Sequence, residues 1–170
     1  TPQTRDLIRR LNLAAITVLN NKGNILPLHS DKEMPPMALL EVGDAGETDV
    51  LAKQLEKHTS LVRFRLHKEM TEAQGKVLRD SLSKYRRVIV AVAEQRLAPF
   101  QPFFAALAAD KQAAKAIYVF FTPGKMMLQI HRAVSAAQSV VLAHSAGHDV
   151  QQQVADVLFA RASADGRLSA

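Results

Sequence analysis

The sequence has no cysteine and no tryptophan, and aromatic residues make up only 5% of it. Without cysteine, disulfides, thiolate nucleophiles and cysteine-ligated zinc are excluded, although many exported proteins also lack it. With two tyrosines, seven phenylalanines and no tryptophan, a surface for stacking nucleic-acid bases is poorly supplied. No apolar run approaches the roughly 20 residues that a membrane helix needs, so no membrane span is expected. The chain opens on Thr1-Pro2-Gln3-Thr4, without an initiator Met or a signal peptide, inside what reads as a helix. It is expected to be a piece of a longer polypeptide.

What is present points to an ordinary globular domain. The 170 residues suit one core, and 48% are apolar against 22% charged. The net charge is +6, from 22 basic and 16 acidic residues. The basic residues are scattered, and the densest group is Lys84, Arg86 and Arg87. That distribution reads as a solvated surface, and no nucleic-acid partner is expected.

Short β-rich apolar runs alternate with longer amphipathic stretches. The pattern predicts a three-layer α/β/α sandwich, flavodoxin-like, around a mostly parallel sheet of about five strands. Leu7, Ile8, Leu11, Ala14 and Ala15 recur at helical spacing over Thr4 to Ala15. Ile16 to Leu19 and Ile25 to Leu28 flank the turn cluster Asn20-Asn21-Lys22-Gly23-Asn24, which predicts a small hairpin ahead of the main sheet. Strands are expected at Met37 to Val42, Ser60 to Leu66, Val88 to Val92, Ala116 to Phe121 and Ser139 to Leu142. The alternation in the second of these places it near a sheet edge, and the unbroken run Val88 to Val92 belongs at the centre. Helices are expected over Asp49 to Lys57, Thr71 to Tyr85, Pro99 to Ala109, Met126 to Ala136 and Asp149 to Arg161. Thr71 with Gln74 has the spacing of a capping box.

Several local patterns invite a chemical reading. Ala143-His144-Ser145-Ala146-Gly147 is like a nucleophile elbow, but too little chain follows Ser145 to supply an acid and a distant histidine. Gly43-Asp44-Ala45-Gly46 ends the first core strand but lacks the third glycine of a dinucleotide fingerprint. A phosphoacceptor reading would need an Asp after the central strand, where Ala93 and Glu94 stand instead. His144 and His148 are four apart, with Asp149 adjacent, yet Gly147 interrupts any helix that would align them on a metal. Met126 and Met127 read as core filling. No cofactor and no metal site is expected. The candidate substrate-side residues are Glu94, Asp44 and His148, set against the plainer reading of each as a loop side chain in solvent or at a domain interface.

Two segments at opposite ends carry a family pattern. Leu13 to Leu28, which includes Ile16-Thr17-Val18-Leu19-Asn20-Asn21 and Leu26-Pro27-Leu28, resembles the segment that opens the C-terminal domain of family 3 glycoside hydrolases. Val154-Ala155-Asp156-Val157-Leu158-Phe159-Ala160, followed by Ala164-Asp165-Gly166-Arg167-Leu168, resembles that domain's closing helix and turn. Ala160, Ala164 and Ser169 depart from the family's usual Gly, Pro and Pro, and Ser145 to Asp149 replaces a glycine-rich loop. The resemblance implies that residues 1–170 form one accessory domain, with 1–28 a helix plus hairpin leading in from a catalytic (β/α)8 barrel of the same polypeptide.

The resemblance also implies a retaining exo-glycosidase whose barrel carries the nucleophilic Asp and binds the carbohydrate. In the β-glucosidase-like branch the sandwich supplies a Glu as acid/base, on the loop after the central strand. The matching stretch here is Ala93 to Pro99, in which Glu94 is kept but Pro99 stands where the catalytic Glu belongs. Proline cannot transfer a proton. Either the acid comes from the barrel or the correspondence of this loop is shifted. The first option fits the β-N-acetylhexosaminidase-like branch, which is the substrate class expected. This segment alone is then no enzyme, and the family's habits imply a periplasmic or secreted location. The alternative from the residues themselves is a free-standing flavodoxin-like ligand-binding or signalling module.

Overall fold

A computed structural model of the chain describes residues 16–21, 26, 28–109, 115–121 and 139–159. Among the described residues six strands are present: β1 (Ile16–Asn21), β2 (Met37–Val42), β3 (Leu61–Leu66), β4 (Val88–Val92), β5 (Ala116–Phe121) and β6 (Ser139–Ala143). Among the described residues four α-helices accompany them: α1 (Asp49–Glu56), α2 (Glu72–Leu82), α3 (Gln101–Ala109) and α4 (His148–Leu158). The predicted helices at 4–15 and 126–136 and the turn at 164–168 lie outside the described residues.

The apolar runs become strands because both of their faces are covered. Every residue of β4, β5 and β6 is buried, and in β2 only Glu41 is partly exposed. The sheet order is β1-β6-β5-β4-β2-β3, with β2 through β6 parallel to one another. β3 takes the edge that its mixed pattern predicts. Setting β1 aside, the order is that of a flavodoxin-like, doubly wound sheet.

The sheet has six strands rather than about five, because the N-terminal strand joins it. Among the described residues, Ile16 to Asn21 has no strand pairing with Leu26 or Leu28 of the predicted second arm. It pairs antiparallel with β6, Ile16 opposite Ala143 and Asn21 opposite Ser139, with a register break between Val18 and Asn20. Leu26 and Leu28 are buried in the core outside any strand. The Asn21 side chain joins the end of β1 to Leu26, donating from Nδ2 to the Leu26 carbonyl at 2.9 Å and accepting from the Leu26 N–H at 3.0 Å. The predicted turn at 20–24 lies largely outside the described residues, and the partner of its first arm lies at the other end of the chain.

Alternate residues of each strand feed two cores. On one face Leu39, Ile89, Val119 and Val141 pack with Leu51 and Leu55 of α1 and Val154 and Leu158 of α4. On the other, Leu40, Val90, Tyr118 and Phe120 pack with Leu82 of α2 and Phe104 and Leu107 of α3. Burying each such side chain contributes about 1.5–3 kcal/mol, so the strands are held chiefly by these faces. Helix α2 starts at a complete capping box. The Thr71 hydroxyl accepts from the Gln74 N–H at 3.2 Å, and Gln74 Oε1 accepts from the Thr71 N–H at 2.9 Å. None of the described helices is long and apolar enough to cross a membrane.

Candidate functional site

Doubly wound sheets bind ligands beyond the C-terminal ends of their strands, where the strand order reverses. Here the chain leaves β2 for β3 on one side and returns to β4 on the other, so β2 and β4 flank that point. Its floor is closed by backbone. The Val42 carbonyl accepts from the N–H groups of both Ala93 and Glu94, at 2.8 and 3.1 Å. Gly43 sits in this seam at φ 150°, and a Cβ there would lie 2.9 Å from Glu47 Oε2 and 3.4 Å from the Ala93 Cβ. The Gly43 carbonyl accepts from Arg65 Nε and Nη2 at 3.3 and 3.1 Å, which locks the loop from the β3 side.

Open space lies one strand further out. A cleft of about 190 Å³ is bounded by Asp44, Arg65, His67, Lys68, Glu69 and Glu94. The structure thus brings two of the three candidate residues, Asp44 and Glu94, to one site. Glu94 is half-buried, and its Oε1 accepts from the Arg96 N–H at 3.0 Å, which folds the carboxylate back over its own loop. Asp44 is exposed, and its N–H donates to Glu47 Oε2 at 3.1 Å. His148 is exposed at the first position of α4, beyond β6, with β5 standing between β6 and β4. It does not reach the cleft.

The remaining sequence patterns resolve as loop structure. Helix α4 begins at His148 after Gly147 as N-cap, so His144 and His148 share no helical face. Ser145 Oγ accepts from the Gly147 N–H at 3.4 Å and shapes the turn. Among the described residues no group of three or more His, Asp or Glu is placed to hold a metal.

The residues that the sequence reading passed over are Arg65, His67, Lys68 and Glu69. The signal was there: a charged run directly after a strand of a parallel sheet falls on the ligand-binding side. A second cluster joins β2, β3 and the start of α1. Arg63 donates from Nε and Nη2 to the Glu41 carboxylate at 2.6 and 2.7 Å, and from Nη2 to Asp49 at 2.5 Å. The hydrogen bond to Glu41, then that to Asp49, hold the guanidinium more firmly protonated than usual, against the opposing effect of partial burial. Among the described residues, Met34 and Val77 are the large apolar side chains that stand exposed.

The sequence matches no protein-family model and no curated protein. Solved structures do match. A fungal multi-domain family 3 β-N-acetylglucosaminidase superposes with a TM-score of 0.74 at 16% identity, over 94% of this chain and 18% of its own. A family 3 β-N-acetylglucosaminidase from Paenibacillus sp. gives 0.70 at 18% identity, over 96% of this chain and 31% of that one. A β-glucosidase from Listeria innocua gives 0.65 at 14% identity, covering 95% of this chain and 26% of the other.

This chain has the fold of the C-terminal α/β domain of family 3 glycoside hydrolases.

Within that fold the two family-like segments meet in space. The Leu28 N–H donates to the Leu158 carbonyl at 2.7 Å, and Leu26, Leu28, Val157, Leu158 and Phe159 are all buried in one core. The two segments therefore pack on each other in this chain, a contact that involves no substrate. Pro99, at the position where the resemblance sets an acid/base Glu, is the middle residue of the short 3-10 turn Ala98–Phe100 and is exposed.

Proposed function

We propose that this chain is the accessory C-terminal domain of a retaining exo-glycosidase of the β-N-acetylhexosaminidase-like kind, packing on a catalytic (β/α)8 barrel of the same polypeptide. The observation that carries the reading is the asymmetry of coverage. The structural neighbours account for 94–96% of this chain, while the chain accounts for 18–31% of theirs.

On this reading the cleft formed by Asp44, Arg65, His67, Lys68, Glu69 and Glu94 faces the barrel's sugar pocket. Its donors and acceptors are nearly balanced in charge, which suits hydroxyl groups better than a strongly charged ligand. A retaining mechanism needs a nucleophilic carboxylate and an acid/base about 5–5.5 Å apart. Pro99 cannot be the second of these, and the Glu94 carboxylate is turned toward the Arg96 N–H. Both groups therefore come from the barrel, and this domain contributes shielding and positioning. Export to a periplasm or the medium is part of the same proposal.

A second reading, a free-standing ligand-binding module, is favoured by the polar cleft and by the scarcity of exposed apolar side chains. One experiment separates the two. The protein expressed from its full open reading frame should release nitrophenol from an aryl N-acetylglucosaminide, with less from the glucoside, and the 170-residue chain alone should release none. A reading frame without a barrel, or turnover by the isolated chain, would overturn the proposal.

A further inference from the structure

A second cavity lies on the other side of the β3–α2 loop. It holds about 360 Å³, within the roughly 300–1,000 Å³ range of small-ligand pockets, and opens between α2 and the start of α3. Its wall is apolar where Leu66, Phe100 and Phe103 line it, and all three are buried. Its polar side carries Arg79, whose guanidinium carbon sits 5.8 Å from the centre of the Phe103 ring. That contact holds the group in place beside the opening. Among the described residues no carboxylate pairs with Arg79. Lys68 stands on the same rim, and the exposed Glu72 is the one acid lining the cavity.

Gly75 is the second observation. It lies inside helix α2 and is buried, at a place where alanine would favour the helix. No clash explains the glycine: a Cβ would rest 3.6 Å from Phe103 Cδ2 and 3.8 Å from Arg79 Nη1, both ordinary contacts. Its effect is to leave space beside the ring and the guanidinium. We propose that this pocket binds a small amphipathic carboxylate, its apolar body against Leu66, Phe100 and Phe103 and its carboxylate on Arg79. The guanidinium fork supplies paired donors for such a group. The inference goes beyond the glycosidase reading and does not depend on it.

Isothermal titration of the intact protein with 2-naphthoate tests it, with 2-naphthamide as the uncharged counterpart. The naphthoate should bind saturably, about tenfold or more tighter than the amide, as a charge-assisted hydrogen bond warrants. Arg79→Gln should erase that preference, and Gly75→Leu should abolish binding by filling the space. Unchanged circular dichroism in Arg79→Gln keeps the test valid if Gly75→Leu fails to fold. Absence of saturable binding, equal affinity for acid and amide, or binding untouched by Arg79→Gln would each overturn the proposal.

Discussion

Gln151 caps a helix from far along the chain: its Oε1 accepts from the backbone N–H of Leu51, a hundred positions earlier, at 2.9 Å. Thr48, the N-cap of α1, makes no cap of its own, because its hydroxyl donates to Glu41 at 2.5 Å. The third N–H of the helix is therefore left for Gln151. The Gln151 Nε2 group donates to the carbonyls of Glu47 and Ala146, at 2.9 and 2.7 Å. One buried amide thus ties the β2–α1 loop, the start of α1 and the β6–α4 loop into a single unit.

Gln151→Leu keeps much of the volume and strands one N–H and two carbonyls. With about 1–3 kcal/mol for a buried polar group left unmade, a loss of about 3 kcal/mol is expected. Urea unfolding of the variant against the parent measures it. A loss under about 1 kcal/mol would mean that water replaces the amide and that the two loops are not coupled through it.

How far such features could be read in advance follows from their range. β2, β4, β5 and β6 are legible because a strand buried on both faces must be apolar throughout. The Thr71–Gln74 box is legible because both of its partners lie within one turn. The antiparallel seat of β1 beside β6 is not, since nothing in Ile16 to Asn21 names a partner more than a hundred residues away. Gln151 is silent for the same reason: in sequence it is one of three consecutive glutamines on a helix. Asp44 and Glu94 are legible because they directly follow buried strands, whereas the charged run Arg65 to Glu69 continues a mixed edge strand and reads like its solvated side. His148 follows β6 by the same logic, but a sheet several strands wide carries it away from the cleft.

Tyr118 is almost fully buried between Phe104 and Phe120, and among the described residues its hydroxyl has no hydrogen-bond partner. Tyr118→Phe should therefore be neutral or stabilising, by up to about 1 kcal/mol at neutral pH. Burial also pushes the phenol's pKa above its ordinary value. The folded state then keeps a proton that the unfolded chain releases above about pH 10, so stability present at lower pH is lost as the pH rises beyond that point. The variant lacks this loss. Denaturant titrations at pH 8 and above 10 should show its advantage growing with pH, and an advantage that shrinks would refute the assignment.

Gly43→Ala tests the seam between the β2 and β4 loops. The positive φ disfavours any side chain, and the new Cβ would press on Glu47 Oε2 at 2.9 Å. Strain of this kind costs about 1–3 kcal/mol. Gly46, also at positive φ, meets nothing closer than Asp49 Oδ2 at 3.4 Å, so Gly46→Ala should cost less. Thermal melts of the two variants give the ranking, and equal losses would show that φ alone matters and contact does not.

On the glycosidase reading, Glu94→Gln in the full-length protein separates a positioning group from a proton donor. The amide oxygen can still accept from the Arg96 N–H, so the turn survives and only the charge is lost. If the acid/base sits on the barrel, as proposed, kcat should fall less than about tenfold while KM rises a few-fold, and the pH profile should keep its shape. Loss of a general acid would instead cost about 10²–10⁴ in rate and remove one limb of that profile. Asp44→Asn, across the same cleft, should shift KM alone. A collapse of kcat in Glu94→Gln that Asp44→Asn does not share would place the acid on this domain, and Pro99 would then be the wrong residue to have matched to the family's catalytic Glu.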